Sequence, residues 1–452
     1  MFRSLTRLLI LVMCLATVAA AVSGRVAVGN VAIAAGLGVV VLQWLRVSTL
    51  ARLFTLVAVA AGAFIVVAYP GEREQLRTAL LQGVSFASFM SVLGLMRYPV
   101  RTSAIIKRAA GSLLSFPASR RYAAVNIGSH FLSLLFNVGI IRMIGDLLSH
   151  ADHTAEMRLQ RRDLLLAGMR GAVLMTIWSP MGLGFAIVTT SVVGLNAVPF
   201  LALACATALT ILLVTCVVAG RAGTLPLGVA APGTGTDPVP LLVVMGASAL
   251  LLALTVGLHV SSGLSSTIST IIVLPLFALF WLVVEPPTPA PPLLRRIWEM
   301  THGIEDMRTE ATVLMSANVI GAAISIVVRH QSFWDALQHG HYPPSLLLIL
   351  CLVLIPLAGA AFIPHTILVV LLAQLLGPST LGLEHPMMVG LTLTLGWALG
   401  TSASPISVMS LTTGALTGTP SYVVGFIWNR GFVMTVFGCA VLALSALYML
   451  GG

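Results

Sequence analysis

The chain has 452 residues, of which 58% are hydrophobic and only 8% are charged. So little charge cannot cover the surface of a soluble domain, so the composition excludes a soluble globular protein and indicates a polytopic membrane protein. The formal net charge of +10 comes almost entirely from arginine. Arginine-rich cytoplasmic loops explain it better than a nucleic-acid-binding surface, so we expect the lipid bilayer as a partner and no nucleic acid.

Apolar stretches of helical length follow one another along the chain. They cover residues 8–22, 26–44, 50–69, 79–97, 121–147, 164–195, 197–220, 239–259, 266–285, 307–328, 345–376, 388–417 and 421–448. Three of them are interrupted, by Ser179-Pro180, by Pro356 and Pro364, and by Ser404-Pro405. The pattern predicts an all-α polytopic membrane protein with about 10 to 13 membrane elements, some of them broken or re-entrant.

The first apolar stretch has a basic start and also fits a signal peptide. We predict instead a first transmembrane helix with its N-terminus inside, because every later element is also membrane-embedded. Five cysteines lie in apolar runs without ligand-like spacing and are interpreted as core residues: Cys14, Cys205, Cys216, Cys351 and Cys439. Segments 220–238 and 285–296, rich in Gly or Pro, are interpreted as connectors.

Two pairs of dipeptides indicate an internal duplication. Ser-Pro occurs only at Ser179 and Ser404, which are 225 residues apart, and Met90-Ser91 and Met315-Ser316 have the same spacing. We also match His130 with His365, which requires an insertion, assigned to 329–344, and a longer loop in the first half, assigned to 149–163. Internal repeats with broken, hydroxyl-rich helices are typical of secondary transporters.

Each half also contains an amphipathic segment. In 100–116, apolar residues recur every four positions opposite a basic face, which predicts a helix along the cytoplasmic interface. Its counterpart is 332–342, which also fits a surface loop helix. The resulting division is 1–78 for N-terminal transmembrane helices, 79–220 for the first repeat core, 221–304 for a linker with two transmembrane helices, and 305–452 for the second repeat core.

Three short motifs carry a family resemblance: IWSPMGLGF (177–185), LMSANVIGA (314–322) and GTSASPIS (400–407). With them the chain resembles the ion transporter superfamily, which includes divalent anion–sodium symporters, citrate–metal symporters and the large subunits of TRAP transporters. The resemblance implies two repeats, expected to be inverted, each with a re-entrant hairpin, an interfacial arm helix and a broken helix. It places LMSANVIGA at the second hairpin tip and the other two motifs at the helix breaks. A homodimer and an accessory subunit are compatible with this plan.

The candidate substrate- and ion-binding residues are the polar and small residues of these motifs together with the matched histidines. They are Ser179, Pro180, Gly182, Thr189, Thr190, Ser316, Asn318, His130, His365, Thr401, Ser402, Ser404, Pro405, Ser407, Thr412 and Thr413. A helix broken inside the membrane presents free N–H groups that attract anions and free carbonyls that coordinate cations. Hydroxyls that merely bond back to their own helix are the alternative for any single residue.

Charged residues within the apolar stretches are scarce. Asp146 and Glu310 are interpreted as interfacial or paired rather than as proton carriers. His130 and His365 would bind an anion or relay a proton, or each would be a buried structural histidine. Arg170 either balances an anionic substrate or extends to the interface.

The leading hypothesis is a secondary transporter of a small organic or inorganic anion, most simply a carboxylate, in a bacterial inner membrane. It would be coupled to Na⁺ or H⁺, with no metal site or other cofactor, and it would not be an enzyme. One alternative is a cation or drug exporter that uses Asp146 or the histidines. Another is a membrane-embedded enzyme for a lipid-linked substrate, built on the polar loop 149–163. ATP-driven transport is disfavoured because the sequence has no G-x-x-x-x-G-K-[ST] loop.

Overall fold

A computed structural model describes residues 2–137, 139–148, 155–221, 237–287, 290–332, 334–335 and 344–449, and this part of the chain contains helices and no strands. The helices of the first part are α1 (Phe2–Ser23), α2 (Val26–Gln43), α3 (Thr49–Ala68), α4 (Arg73–Leu95), α5 (Arg97–Thr102), α6 (Ala104–Leu114), α7 (Ala118–Phe136), α8 (Gly139–Leu147), α9 (Ala155–Met175), α10 (Leu183–Ser191) and α11 (Ala197–Arg221). Those of the second part are α12 (Val239–Ser262), α13 (Ser266–Val284), α14 (Leu293–His302), α15 (Arg308–Arg329), α16 (Pro344–Ala360), α17 (His365–Leu376), α18 (Thr380–Glu384), α19 (Pro386–Ala403), α20 (Val408–Thr417) and α21 (Arg430–Met449). A π-helical turn, Val423–Trp428, precedes α21.

Nine of the described helices are long and apolar enough to cross a bilayer. The remaining membrane elements come in consecutive pairs that each contain at least one short helix: α7–α8, α9–α10, α16–α17 and α19–α20. The peripheral helices leave many large apolar side chains uncovered, Leu15 and Val67 among them. A lipid environment accounts for such exposure, and the predicted all-α polytopic membrane architecture is confirmed.

The duplication has a regular geometric basis. Among the described non-glycine residues, only Asn137 and Phe362 have a positive φ, and they are 225 residues apart. Asn137 lies where the chain turns from α7 to α8, and Phe362 lies between α16 and α17. These two turns are the hairpin tips. The two tips are 225 residues apart, as are the two Ser-Pro breaks. In each half the broken helix therefore follows the hairpin at the same distance along the sequence.

The two halves are inverted with respect to each other. The corresponding long helices α4 and α15 pack side by side: a Cβ on Gly83 would lie 3.1 Å from the Met315 Cα. At the end of α4 Arg97 pairs with Asp306, which precedes α15, at 3.1 Å. Beside the start of α4 Glu72 lies 3.8 Å from His330, which follows α15. The two helices therefore run antiparallel.

Basic residues mark one end of this bundle. Of the 24 Lys and Arg residues, only four lie at the end where α1, α3 and α15 finish: Arg25, Arg73, Arg77 and Arg329. Arg170 lies in the interior, and the other 19 lie at the opposite end. By the positive-inside rule we expect that end, with the start of α1, to face the cytoplasm.

The predicted interfacial helix of the first half is α5 and α6. In α6 Ile106, Ala109 and Leu113 are buried, whereas Lys107 and Arg108 are exposed. Ser103 caps the helix by accepting a hydrogen bond from the Ile106 amide at 3.3 Å. The counterpart at 332–342 lies mostly outside the described residues. The connector at 285–296 instead leads into a further helix, α14, which the proline-rich sequence did not predict.

Three details of the sequence interpretation are wrong. LMSANVIGA is not a hairpin tip but lies within the continuous helix α15, because nothing in it breaks the helical hydrogen bonds. Pro356 does not interrupt its stretch and lies inside α16. His130 and His365 are not equivalent, since His130 lies in the helix before the first tip and His365 begins the helix after the second. Apolar content and motif shape do not show where a hairpin turns.

Candidate solute site at the two helix breaks

The Ser-Pro motifs break two helices inside the bundle. Proline has no N–H and excludes the helical conformation at the residue before it. Accordingly Ser404 is extended, with φ −78° and ψ 123°, and ends α19. In the first half the chain leaves α9 after Met175 and starts α10 at Leu183. Each motif thus exposes a helix end within the membrane interior.

The two broken helices cross so that their breaks lie at one depth. A Cβ on Gly184, in α10, would lie 2.8 Å from the Trp397 ring of α19. The Thr413 hydroxyl of α20 lies 3.7 Å from the Met169 sulfur of α9. Helix α10, after the first break, therefore packs on α19, before the second break, and α20 packs on α9 in the same way. The two breaks lie between these two contacts.

The first break is held by its own backbone and by His130. The buried Ser179 hydroxyl accepts a hydrogen bond from the Met181 amide at 3.1 Å. Gly182 has no room for a side chain, because a Cβ there would lie 2.8 Å from the Thr176 Cα. As the residue before α10, Gly182 also supplies no side-chain cap, so within the described part of the chain the first amides of that helix lack the usual N-cap partner.

His130 has protein partners for both ring nitrogens. Its Nδ1 lies 3.1 Å from the Gly171 carbonyl, and its Nε2 lies 3.0 Å from the Trp178 indole nitrogen. A carbonyl requires a donor and an indole N–H requires an acceptor, so the neutral ring with its proton on Nδ1 satisfies both. The structure therefore uses His130 to position the first break.

The second break contains a buried hydroxyl without a partner. Ser404 is fully buried, and its Oγ has no hydrogen-bond partner among the described residues. It faces the second hairpin, where a Cβ on Gly359 would lie 3.3 Å from its Cβ. On another side, a Cβ on Gly425 of the π-helical turn would lie 2.7 Å from the Ala403 carbonyl oxygen. An unsatisfied buried hydroxyl is costly, and a bound solute, ion or water would relieve that cost.

Other predicted residues of the second break are already paired. The Thr401 hydroxyl lies 2.8 Å from the Trp397 carbonyl oxygen and 3.0 Å from His365 Nε2. Ser402 donates to the Ala398 carbonyl at 2.8 Å. Ser407 caps α20 by accepting from the Ser410 amide at 3.1 Å. These groups shape the break and secure it to the second hairpin.

The threonine pairs lie along the half-helices that leave the breaks. Thr189 donates to the Phe185 carbonyl at 2.9 Å and lies 3.0 Å from the Ser266 hydroxyl of α13. Thr190 donates to the Ala186 carbonyl at 2.7 Å. Thr412 and Thr413 are both buried in α20. The hydroxyls of Thr189 and Thr190 thus bond back to their own helix.

Ser316 and Asn318 belong to a separate polar cluster. Ser316 lies 3.1 Å from the Thr55 hydroxyl of α3. The Asn318 side-chain oxygen accepts from Gln374 of α17 at 3.1 Å, and its amide donates to the Leu314 carbonyl at 2.9 Å. These residues link α15 to α3 and to the second hairpin, and no contact of theirs reaches a Ser-Pro break in the described part of the chain.

Sequence reasoning missed two polar residues of the first hairpin. Asn126 and Ser129 of α7 are fully buried, and the Asn126 amide and Ser129 hydroxyl have no hydrogen-bond partner among the described residues. They face α9, where a Cβ on Gly168 would lie 3.5 Å from the Ser129 Oγ. Asn126 lies three residues before Ser129 and four before His130 on the same helix, and this spacing was the available signal.

The fold makes the chain a multi-pass membrane protein, and it is similar to the fold of one transporter of known structure. It resembles the crystal structure of the YdaH transporter of Alcanivorax borkumensis, which was described as having an unusual topology. The TM-score is 0.54 at 13% sequence identity, over 89% of this chain and 97% of that one. No protein-family model and no curated protein sequence matches the chain. The likeness is one of fold, and membership of the ion transporter superfamily stays a prediction.

Proposed function

We propose that the protein is a secondary active transporter of a small anion, with a carboxylate as the preferred class, driven by Na⁺ or H⁺ in a bacterial inner membrane. The observation that supports this most is the pair of inverted broken helices with their breaks at one depth. One break leaves the α10 amides without the usual N-cap partner, and the other leaves the Ser404 hydroxyl buried without a partner among the described residues. Such breaks at the centre of inverted repeats are the solute sites of secondary transporters.

The distribution of charge supports an anion rather than a cation. Among the described acidic residues, all lie near helix ends except Asp163, which pairs with Arg162 at 2.8 Å. The interior therefore offers a cationic Arg170 but no free carboxylate in the described region. A cation exporter would need interior carboxylates, and a membrane-embedded enzyme would need clustered catalytic groups. No three His, Cys, Asp or Glu side chains converge among the residues described.

Thermal unfolding of the detergent-purified protein tests the proposal. Carboxylates, sulfonates and inorganic anions are added with Na⁺ or with choline. A ligand that binds only the folded state stabilises it by about 2.7 kcal/mol at a hundredfold excess over its Kd. We expect one anion class to raise the melting temperature, and the same class to accumulate in proteoliposomes under an ion gradient. Stabilisation by cationic or lipid-linked compounds alone would reject anion transport.

Ser404→Ala locates the site. Its removal breaks no hydrogen bond and relieves the cost of an unpaired buried hydroxyl, so we expect the melting temperature of the ligand-free protein to hold or rise. The apparent affinity for the ligand, read from the ligand-induced shift, should fall at least tenfold. Ser402→Ala is the matched control, because its hydroxyl is already bonded to the Ala398 carbonyl. Equal losses in both variants would contradict a specific role for the unpaired hydroxyl.

A further inference from the structure

A cavity of about 360 Å³ lies between α7, α9, α11 and the start of α21, at the basic end of the bundle. Its charged lining residues are Arg162, Asp163 and Arg170, and Leu166 and Phe432 contribute apolar wall. This volume accommodates a small organic molecule. The sequence indicated Arg170 but not the cavity, because its walls come from four helices and the π-helical turn, which are distant in the chain.

Arg170 is held in this cavity by neutral groups alone. Its Nε donates to the Asn429 side-chain oxygen at 3.2 Å, its Nη1 to the Tyr122 hydroxyl at 2.9 Å, and its Nη2 to the Trp428 carbonyl at 2.9 Å. The Phe432 ring centre lies 5.5 Å from its guanidinium carbon. These three bonds use three of the five guanidinium N–H groups, so one remains on each terminal nitrogen.

The charge in the cavity is unbalanced by one unit. Arg162 is compensated, since its Nη2 lies 2.8 Å from an Asp163 oxygen. Arg170 makes no ion pair within the described part of the chain. A half-buried cation without a counter-ion favours an anion, and a planar guanidinium with free N–H groups suits a carboxylate.

We propose that this cavity binds the carboxylate group of a singly charged solute, with Arg170 as its charge partner. The inference rests on the proposed anion transport and names the substrate class. The one uncompensated positive charge of Arg170 balances one negative charge on the solute. A second carboxylate would lose its water without a charge partner, which costs free energy. The apolar wall contacts the remainder of the solute.

The cavity is physically connected to the second break. Asn429 is fully buried; its side-chain oxygen accepts from Arg170, and its amide nitrogen lies 3.4 Å from the Ser402 carbonyl oxygen. Ser402 is two residues from Ser404. A carboxylate on Arg170 therefore acts on the break through a single intervening side chain, that of Asn429.

The test measures binding to the purified protein by calorimetry, with a four-carbon series as probe: butanoate, succinate and butan-1-ol. We expect butanoate to bind, succinate to bind at least tenfold more weakly, and butan-1-ol not to bind. Arg170→Gln should weaken butanoate binding at least tenfold. Gly431→Leu narrows the cavity by adding an apolar side chain to its lining, and a Cβ at Gly431 meets nothing within 4 Å. It should weaken butanoate binding at least tenfold without lowering the melting temperature.

Arg430→Gln is the matched control. It removes the same charge one residue from Asn429, but Arg430 is exposed and does not line the cavity. Butanoate binding should be unchanged in this variant. A parallel titration with phosphatidylglycerol distinguishes a lipid phosphate from a soluble carboxylate, and Arg170-dependent binding of that lipid alone would overturn the inference.

Two further results separate this inference from the proposed function. Butanoate binding that survives Arg170→Gln and Gly431→Leu but is lost in Ser404→Ala would overturn the cavity site and leave anion transport standing. Succinate binding more tightly than butanoate would overturn the single-charge match. If neither anion binds the wild-type protein and no other anion stabilises it, both proposals fail.

Discussion

Individual hydroxyls in the hydrophobic helices divide into two kinds. Thr190 and Ser402 donate to carbonyls one turn earlier, which is the ordinary state of Ser and Thr in membrane helices. Ser404 does not, because it is extended and its hydroxyl is fully buried without a partner among the described residues. The sequence predicted the cluster around Pro405 as a candidate site, but it could not distinguish satisfied from unsatisfied hydroxyls.

Glycine at 171 is required by close packing of the first hairpin against α9. A Cβ there would collide with the Asn126 carbonyl of α7. We expect Gly171→Ala to destabilise the protein by about 1–3 kcal/mol, the usual cost of overpacking, and to lower its melting temperature.

Gly438→Ala is the control for this prediction. Gly438 lies in α21 with nothing within 4 Å of an added Cβ, so alanine should leave the melting temperature unchanged or raise it. Equal melting temperatures for both variants would show that α7 and α9 do not approach so closely.

Helix breaks and hairpins are the elements that give this fold its character. A proline after a serine ends α19, whereas Pro356 is accommodated within α16. The difference lies in the surroundings. Backbone groups that lose their helical hydrogen bonds inside the membrane need other protein groups nearby. At the second break the π-helical turn supplies such groups, because Gly425 packs directly against the Ala403 carbonyl. Proline alone is therefore a weak predictor of a break.

Removing the proline of the second break should make the helix more continuous. Pro405→Ala supplies an amide that can bond to the Thr401 carbonyl, so we expect α19 to lengthen, the melting temperature to hold or rise, and solute uptake into proteoliposomes to fall at least tenfold.

Pro356→Ala should retain uptake, because its helix is already continuous. The idea that the break itself forms the site would be rejected if Pro405→Ala transported as well as the wild type.

At the scale of the whole molecule, antiparallel packing of α4 and α15 makes the two halves inverted. Four ion-pair and backbone contacts join the start of α1, the α2–α3 loop, the end of α4 and the start of α15 at the basic end: Arg7–Glu305, Arg46–Glu305, Arg97–Asp306 and the Arg308 bond to the Arg46 carbonyl. We propose that this inverted arrangement, with the candidate site between the two halves, supports alternating access.

The excess of Lys and Arg at one end of the bundle predicts the orientation of the protein in the membrane. We expect an impermeant maleimide added to intact cells to label Ser262→Cys, and to label Ala104→Cys only after permeabilisation, since both positions are exposed but lie at opposite ends. The parent protein with its five buried or half-buried cysteines is the control for background labelling. The reverse pattern would place the basic end outside.

The amino-acid sequence by itself determined the membrane class, the order of the apolar helices, the amphipathic α6 and the Ser-Pro breaks, because these depend on composition, periodicity and the local restriction that proline imposes. The 225-residue duplication was visible for the same reason. Tertiary structure decided where the hairpins turn, that LMSANVIGA is plain helix, and that His130 and His365 are not counterparts. It also decided which hydroxyls are left unpaired and brought Arg170, Tyr122 and Asn429 together. Those properties depend on which distant groups satisfy a hydrogen bond or a charge, and one-dimensional spacing does not contain that information.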